Sequence, residues 1–210
     1  MNNPLALAVL ASLMERPMHP YEMATTMRER GKDQSIKLNY GALYTVVEAL
    51  QKYGLIIAQE TGRAGRRPER TVYRLTDAGR MELIDWMSEL ISRPVKEYTQ
   101  FEAGISLIGV LPPEDAAALL AQRCELLKIK ISQERALLEH AAQHGVQRLN
   151  LIEGEYQLAL YEAELNWTRT LVEEIKSGTL EGVAEWAAFH RAAAEQELSE
   201  PQGEAEQEQH

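Results

Sequence analysis

The chain has 210 residues, 45% hydrophobic and 6% aromatic, and a net charge of −10 from 22 Lys and Arg against 32 Asp and Glu, which suits a helix-rich packed protein rather than a fibrous or disordered one. One cysteine, Cys124, excludes a disulfide framework or a cysteine metal site within one chain. No apolar run nears the roughly 20 residues needed to span a bilayer, and the N-terminus has no basic signal region, so the expected location is cytoplasmic.

In chain order, Leu5 to Met14 is apolar on nearly every face, so it predicts a largely buried helix. Pro17 and Pro20 break it, and Pro20 suits the first position of a second helix over Tyr21 to Arg30, with Tyr21, Ala24 and Met27 on one face. Gly31 ends that helix, and a polar connection through Ser35 and Lys37 leads to Leu38–Leu55. There Leu43, Val46, Val47 and Leu50 keep the spacing of one helix face. Asn39 is the expected N-cap and Gly54 the stop. The opposite face carries Gly41, Thr45, Glu48 and Lys52, with Tyr40 and Tyr44 on its flank.

Leu55 to Gln59 and Thr71 to Leu75 read as short hairpin strands around a basic loop, Gly62 to Arg70. Thr76 caps an exit helix with Leu83, Trp86, Met87 and Leu90 at helical spacing. A small-faced helix followed by a basic hairpin has the form of a recognition helix and wing. The charge distribution agrees with this. Residues 1–100 hold 14 Lys and Arg against 12 Asp and Glu, whereas the rest hold 8 against 20.

The second half is different in kind. A short helix lies within Glu97 to Val110, and Pro112-Pro113-Glu114-Asp115 starts a long helix with a seam at Leu120, Cys124, Leu127, Ile131, Leu138 and Ala141, interrupted by Glu134. Gly145 breaks it. A second long helix, from about Arg148 to Lys176, has its seam at Leu158, Tyr161, Leu165, Thr168, Val172 and Ile175. Glu181 to Glu197 forms a last helix with Val183, Trp186, Ala187, Ala193 and Ala194 inward. The fold class is therefore mainly α. A winged helix-turn-helix domain is expected over residues 1–93, a helical dimerisation and effector domain over 94–198, and a disordered acidic tail over 199–210.

Several motifs resemble the PadR family of transcriptional regulators: His19-Pro20-Tyr21-Glu22, Gly41-Ala42-Leu43-Tyr44, Tyr53-Gly54-Leu55-Ile56, Gly65-Arg66-Arg67-Pro68, and Tyr73-Arg74-Leu75-Thr76-Asp77-Ala78-Gly79-Arg80. They occur in that family's order over residues 1–90. Pro20, Asn39 and Thr45 depart from its usual glycine, serine or threonine, and proline, which bears on operator sequence and not on fold. Pro112 to Gly178 is similar to the longer C-terminal domain of one subfamily, including Glu155-Tyr156 through Glu164-Leu165-Asn166-Trp167. The resemblance implies a homodimer, an inverted-repeat operator on double-stranded DNA, repression, and release by a small phenolic or other aromatic effector.

The expected DNA-binding residues are Lys37, Asn39, Tyr40, Tyr44 and Thr45 on and before the recognition helix, and Arg63, Arg66, Arg67 and Arg70 in the loop. Thr45 suits a thymine methyl or a base-edge acceptor, and the arginines suit backbone phosphates. Glu48 is expected to pair with Lys52 at i+4. Trp86, Tyr98, Tyr156 and Trp167 are candidate effector contacts, set against the plainer reading that such aromatics form core or dimer interface. His140 and His144 stand at i, i+4, but no third ligand is implied, so no metal or cofactor is expected. No nucleophile elbow, phosphate-cradling glycine loop or HExxH motif is present, so an enzyme is not expected. The rival readings are a winged-helix adaptor that binds no DNA and an enzyme built on the helical half.

Overall fold

The computed structural model describes residues 3–59 and 71–199. The Gly62–Arg70 loop and the 200–210 part of the tail lie outside the described residues. The chain forms two compact units, Met1–Lys96 and Glu97–His210.

In the first unit, α1 (Pro4–Glu15) is capped by Asn3, whose side chain accepts from the Leu5 N–H at 3.0 Å. Its buried positions Leu5, Ala6, Val9, Leu10 and Leu13 form the centre of the core. α2 (Pro20–Glu29) starts with a capping box: the Tyr21 N–H donates to His19 Nδ1 at 3.1 Å, and the His19 N–H donates to Glu22 at 3.0 Å. Pro20 takes the first helical position, as expected, and the cap is His19, a residue type with no strong capping preference. Of the face expected to hold Tyr21, Ala24 and Met27, the last two are buried, with Pro20 and Met23, whereas Tyr21 is exposed. A paired Arg30–Glu15 contact, one arm of it 2.8 Å long, ties α2 back to α1.

Helix α3 (Tyr40–Lys52) buries Leu43, Val46, Val47 and Leu50, as its spacing predicts. Gly54 has φ +72°, and the Leu55 N–H donates back to the Leu50 carbonyl at 3.0 Å, closing a left-handed helix stop. β1 (Ile56–Gln59) and β2 (Val72–Leu75) pair antiparallel, with Ile56 opposite Leu75 and Gln59 opposite Val72. Met18 adds a bridge to Tyr73 through two backbone bonds of 3.1 and 3.0 Å, a third sheet position no local pattern signalled.

Thr76 begins α4 (Asp77–Ser92), accepting from the Gly79 N–H at 3.0 Å and donating to the Gly54 and Leu55 carbonyls. Gly79 is required there, because a Cβ would lie 2.0 Å from the Leu55 carbonyl oxygen. Only Leu83 and Trp86 of the expected α4 stripe are buried. Met87 and Leu90 are exposed, as are Met81, Ile84 and Ile91, because within this unit only one edge of α4 meets the core.

The second unit is a long antiparallel hairpin of α6 (Pro113–Gln143) and α7 (Ile152–Ser177), flanked by the short α5 (Gln100–Ser106) and by α8 (Val183–Ser199). Leu120, Cys124, Leu127 and Ile131 of α6 and Thr168, Val172 and Ile175 of α7 are buried, while Leu138 and Leu158, near the turn that joins the two helices, are half-buried. Glu134, the odd residue in the seam, lies over Gly154, where a Cβ would stand 2.8 Å from the Glu134 Oε1 and 2.9 Å from a Leu138 methyl. A residue without a side chain thus makes room for a polar one. Arg123 pairs with Glu164 and Arg135 with Glu162 across the hairpin, each at 2.5 Å. The α8 helix is pinned by Trp186 Nε1 donating to the Leu111 carbonyl at 2.8 Å and by His190 Nε2 meeting the Gly109 carbonyl at 2.9 Å. Ala193 and Ala194, expected inward, are exposed, since α8 packs through Val183 and Trp186 near its start. No helix among the described residues is long and apolar enough to cross a membrane.

Candidate nucleic-acid interface

The outward surface of α3 begins at its cap. Asn39 Oδ1 accepts from the Gly41 and Ala42 N–H groups at 2.8 and 3.4 Å. With that oxygen engaged, Asn39 faces outward through its amide donors. It is therefore suited to phosphate oxygens or base acceptors, and not to the bidentate reading of adenine, which needs donor and acceptor together. Thr45 donates its hydroxyl proton to the Gly41 carbonyl at 3.1 Å. What remains outward is a methyl and an acceptor lone pair. This narrows the sequence expectation, favouring a thymine methyl or a base amino group over a base-edge acceptor.

Tyr40, Gly41, Tyr44, Thr45 and Glu48 are all exposed, while the residues behind them are buried. The face is thus rigidly backed by the core. Lys37 is exposed just ahead of the helix. Glu48 forms no ion pair with Lys52 among the described residues, contrary to the i+4 expectation. Its charge falls instead near Tyr73, whose hydroxyl pKa is raised first by burial, then by Glu48 and Tyr44. Arg63, Arg66, Arg67 and Arg70 belong to the loop outside the described residues.

Two residues that the sequence reading passed over join this surface. The Tyr21 ring of α2 stacks on the Tyr40 ring, with centroids 6.0 Å apart and planes 12° from parallel. Arg28 of α2 lies 4.6 Å from the Tyr40 centroid and donates to its hydroxyl at 2.5 Å. Nothing local could have found them, because 12 residues separate Arg28 from Tyr40. The one available signal was that Arg28 is a basic residue at the end of the helix preceding the recognition helix.

The aromatic candidates for an effector fall in both units, Trp86 in the first and Tyr98, Tyr156 and Trp167 in the second. Trp86 is a core residue of the first unit, 8% exposed, and offers little surface to a ligand. Tyr98 and Tyr156 are exposed. Trp167 meets the Phe101 edge at 6.3 Å, and Arg123 lies 3.7 Å over the Phe101 ring. An open groove of about 680 Å³ between α6 and α7, lined by Ile131, Arg135, Glu162, Leu165 and Asn166 among others, includes none of the four candidates. The His140 and His144 rings lie 4.1 Å apart and tilted by 40°, with His144 Nδ1 on the His140 carbonyl, and no metal-holding cluster occurs among the described residues.

Residues 9–85 match the family described as the transcriptional regulator PadR-like family. No curated protein matches the chain by sequence. Among solved structures, Bacillus subtilis PadR in complex with operator DNA is similar at 22% identity, covering 83% of this chain and 98% of that one, with a TM-score of 0.63. The same protein with p-coumaric acid is similar at 18% identity, covering 82% and 98%, with a TM-score of 0.65. The Vibrio cholerae virulence activator AphA is similar at 18% identity, covering 82% and 98%, with a TM-score of 0.58. At these identities the likeness is one of fold, and it extends over both units.

Proposed function

We propose that this chain, whose residues 9–85 match the transcriptional regulator PadR-like family, is a homodimeric DNA-binding repressor released by a small effector. The observation that carries the proposal is the outward face of α3. It is a short, core-backed turn on which Asn39 offers amide donors and Thr45 offers a methyl and an acceptor, with Lys37 beside them. These groups match base edges and phosphates. Lys37, Tyr40 and Tyr44 take backbone or flanking positions. Arg63, Arg66, Arg67 and Arg70 supply sequence-independent affinity from the loop. A dimer places two such helices in successive major grooves about 34 Å apart, so the operator is an inverted repeat.

Dimerisation belongs to the second unit. Besides the seam, α7 carries Tyr156, Leu160 and Trp167 exposed, and α6 carries Leu119, Leu126, Ile129 and Leu137 exposed. A monomer would leave this apolar surface in water. The phenolic effector class is supported by a fold neighbour captured with p-coumaric acid, and Tyr98, Tyr156 and Trp167 are the candidate aromatics with exposed surface to offer it.

The test is a gel-shift of the full chain on the DNA upstream of its own coding sequence, with and without p-coumaric acid and related phenolic acids. Retardation that one of these acids relieves is the expected result. Retardation that none of them relieves keeps the regulator and removes the phenolic effector. No retardation at low salt leaves a winged-helix adaptor.

A further inference from the structure

We infer that Arg28 and Tyr21 of α2 are positioning residues that make Tyr40 a hydrogen-bond donor to a backbone phosphate, so that the register of α3 on DNA is set partly from the helix before it. This rests on the DNA-binding reading proposed above and assigns a task to two residues that reading does not use.

The argument starts from the hydroxyl of Tyr40. A phenol has one proton and two acceptor lone pairs. Arg28 Nη1 donates to that oxygen at 2.5 Å, and the guanidinium also lies 4.6 Å from the ring centroid. One lone pair is therefore engaged by a cation, and the proton is left to point away from it. Donation from a charged group polarises the O–H and strengthens it as a donor. The neighbouring guanidinium charge favours an anionic acceptor over a neutral one. A phosphate oxygen meets both conditions, while a base amino group, itself a donor, meets neither.

Tyr21 fixes the ring plane. The near-parallel stack at 6.0 Å and 12° restricts rotation of an aromatic that would otherwise be free at the surface. Tyr40 is the first residue of α3, so holding its hydroxyl in one place holds the helix start against the backbone. The result is a donor with fixed direction, which gives register rather than sequence reading.

The experiment uses the full chain and a random-sequence duplex at low salt, because a phosphate contact is independent of sequence. Tyr40→Phe keeps the ring and removes only the hydroxyl, so binding should weaken by about fivefold to tenfold. Arg28→Gln should weaken it by a similar factor in the wild-type chain, but by less than about twofold in the Tyr40→Phe background, since coupled residues are not additive. Tyr21→Phe should bind like wild type, and Tyr21→Ala should lose about threefold, consistent with a role for the ring alone. The slope of log K against log salt should stay unchanged in Tyr40→Phe and in both Tyr21 variants, because the phosphate partner is a neutral hydroxyl, and should fall by clearly less than about 0.9 in Arg28→Gln, whose charge stands behind that hydroxyl without touching the phosphate. Thermal midpoints near that of wild type confirm intact folding, as these side chains lie outside the core. Additive losses for Arg28→Gln and Tyr40→Phe, with the slope falling by about 0.9, would make Arg28 a direct phosphate contact and overturn the inference. So would wild-type affinity in Tyr40→Phe. A wild-type chain that binds no duplex at all sinks the DNA-binding reading itself, a result distinct from either.

Discussion

The two units of this chain bury their apolar residues by different rules. The first closes a core from elements far apart in sequence: Leu10 of α1, Met23 of α2, Leu50 of α3, Ile56 of β1 and Leu83 of α4 all belong to one cluster. The second has a thin cluster around Ala117, Leu120, Val172 and Ile175, and its long helices carry large apolar side chains outward along much of their length. A unit of the first kind holds its own shape and can present a functional face. A unit of the second kind has surface to spare, which is what a partner subunit uses. The division of labour proposed above, DNA reading in one and dimerisation in the other, follows that physical difference.

The comparison breaks most easily at the core. Leu50→Ala should cost about 2–5 kcal/mol in the first unit, through lost transfer energy and a residual cavity. Leu126→Ala, on the outward side of α6, should change unfolding of a dilute monomer by no more than about 0.5 kcal/mol, yet weaken self-association. Chemical denaturation at several protein concentrations measures both. Equal, concentration-independent losses would erase the distinction between the two units.

Thr45→Ala comes next. Its methyl and acceptor face outward from α3, so operator binding should fall by about 1–3 kcal/mol with little change on random duplex. Equal losses on both DNAs would remove Thr45 from the base-reading set and leave the face without a specificity residue.

A smaller effect tests the second unit from inside. Thr168 is fully buried in the α6–α7 seam, and its hydroxyl has no hydrogen-bond partner. An unsatisfied buried hydroxyl costs about 1–3 kcal/mol, so Thr168→Val should stabilise the hairpin by up to about that amount. A drop in thermal midpoint would mean the hydroxyl is satisfied in solution.

The smallest effect is pH dependence in the first unit. Glu22 is held below the ordinary carboxylate value of 4.5, first by the His19 backbone N–H and then by Arg16, and Glu15 is held down by Arg30. A depressed folded-state pKa contributes stability that is present above the unfolded value and lost as pH falls through the folded one. Denaturation midpoints should therefore decline below about pH 4.5, and Glu22→Gln should shallow that decline. An unaltered acid limb in the variant would show that the capping box contributes no linkage.

What the sequence made legible was local. Asn39, Gly54 and Thr76 each act within a few residues of their own position, and their chemistry predicted the helix ends where they are found. The seams of α6 and α7 were legible for the same reason, because heptad spacing is a local record of one buried face. What escaped was non-local or unusual. His19 is an uncommon cap, and the Met18–Tyr73 bridge joins residues on either side of two helices. The Tyr21–Tyr40–Arg28 cluster exists only once α2 packs on α3. Outward α6 residues such as Leu126 and Ile129 were missed because the inner seam accounts for the helix without them. Met87 and Leu90 keep the helical spacing of Leu83 and Trp86 yet are exposed, because spacing records which residues are apolar and not how much of a helix the core can reach.

The central claim is that this acidic chain binds DNA through α3 and the arginine loop, and salt dependence tests it most directly. The slope of log K against log salt is measured on duplex DNA for the wild-type chain and for Arg66→Ala with Arg67→Ala. A steep negative slope that shallows by about 1.8 in the double variant is the result predicted for two lost phosphate contacts. A slope that is the same in both proteins would contradict it.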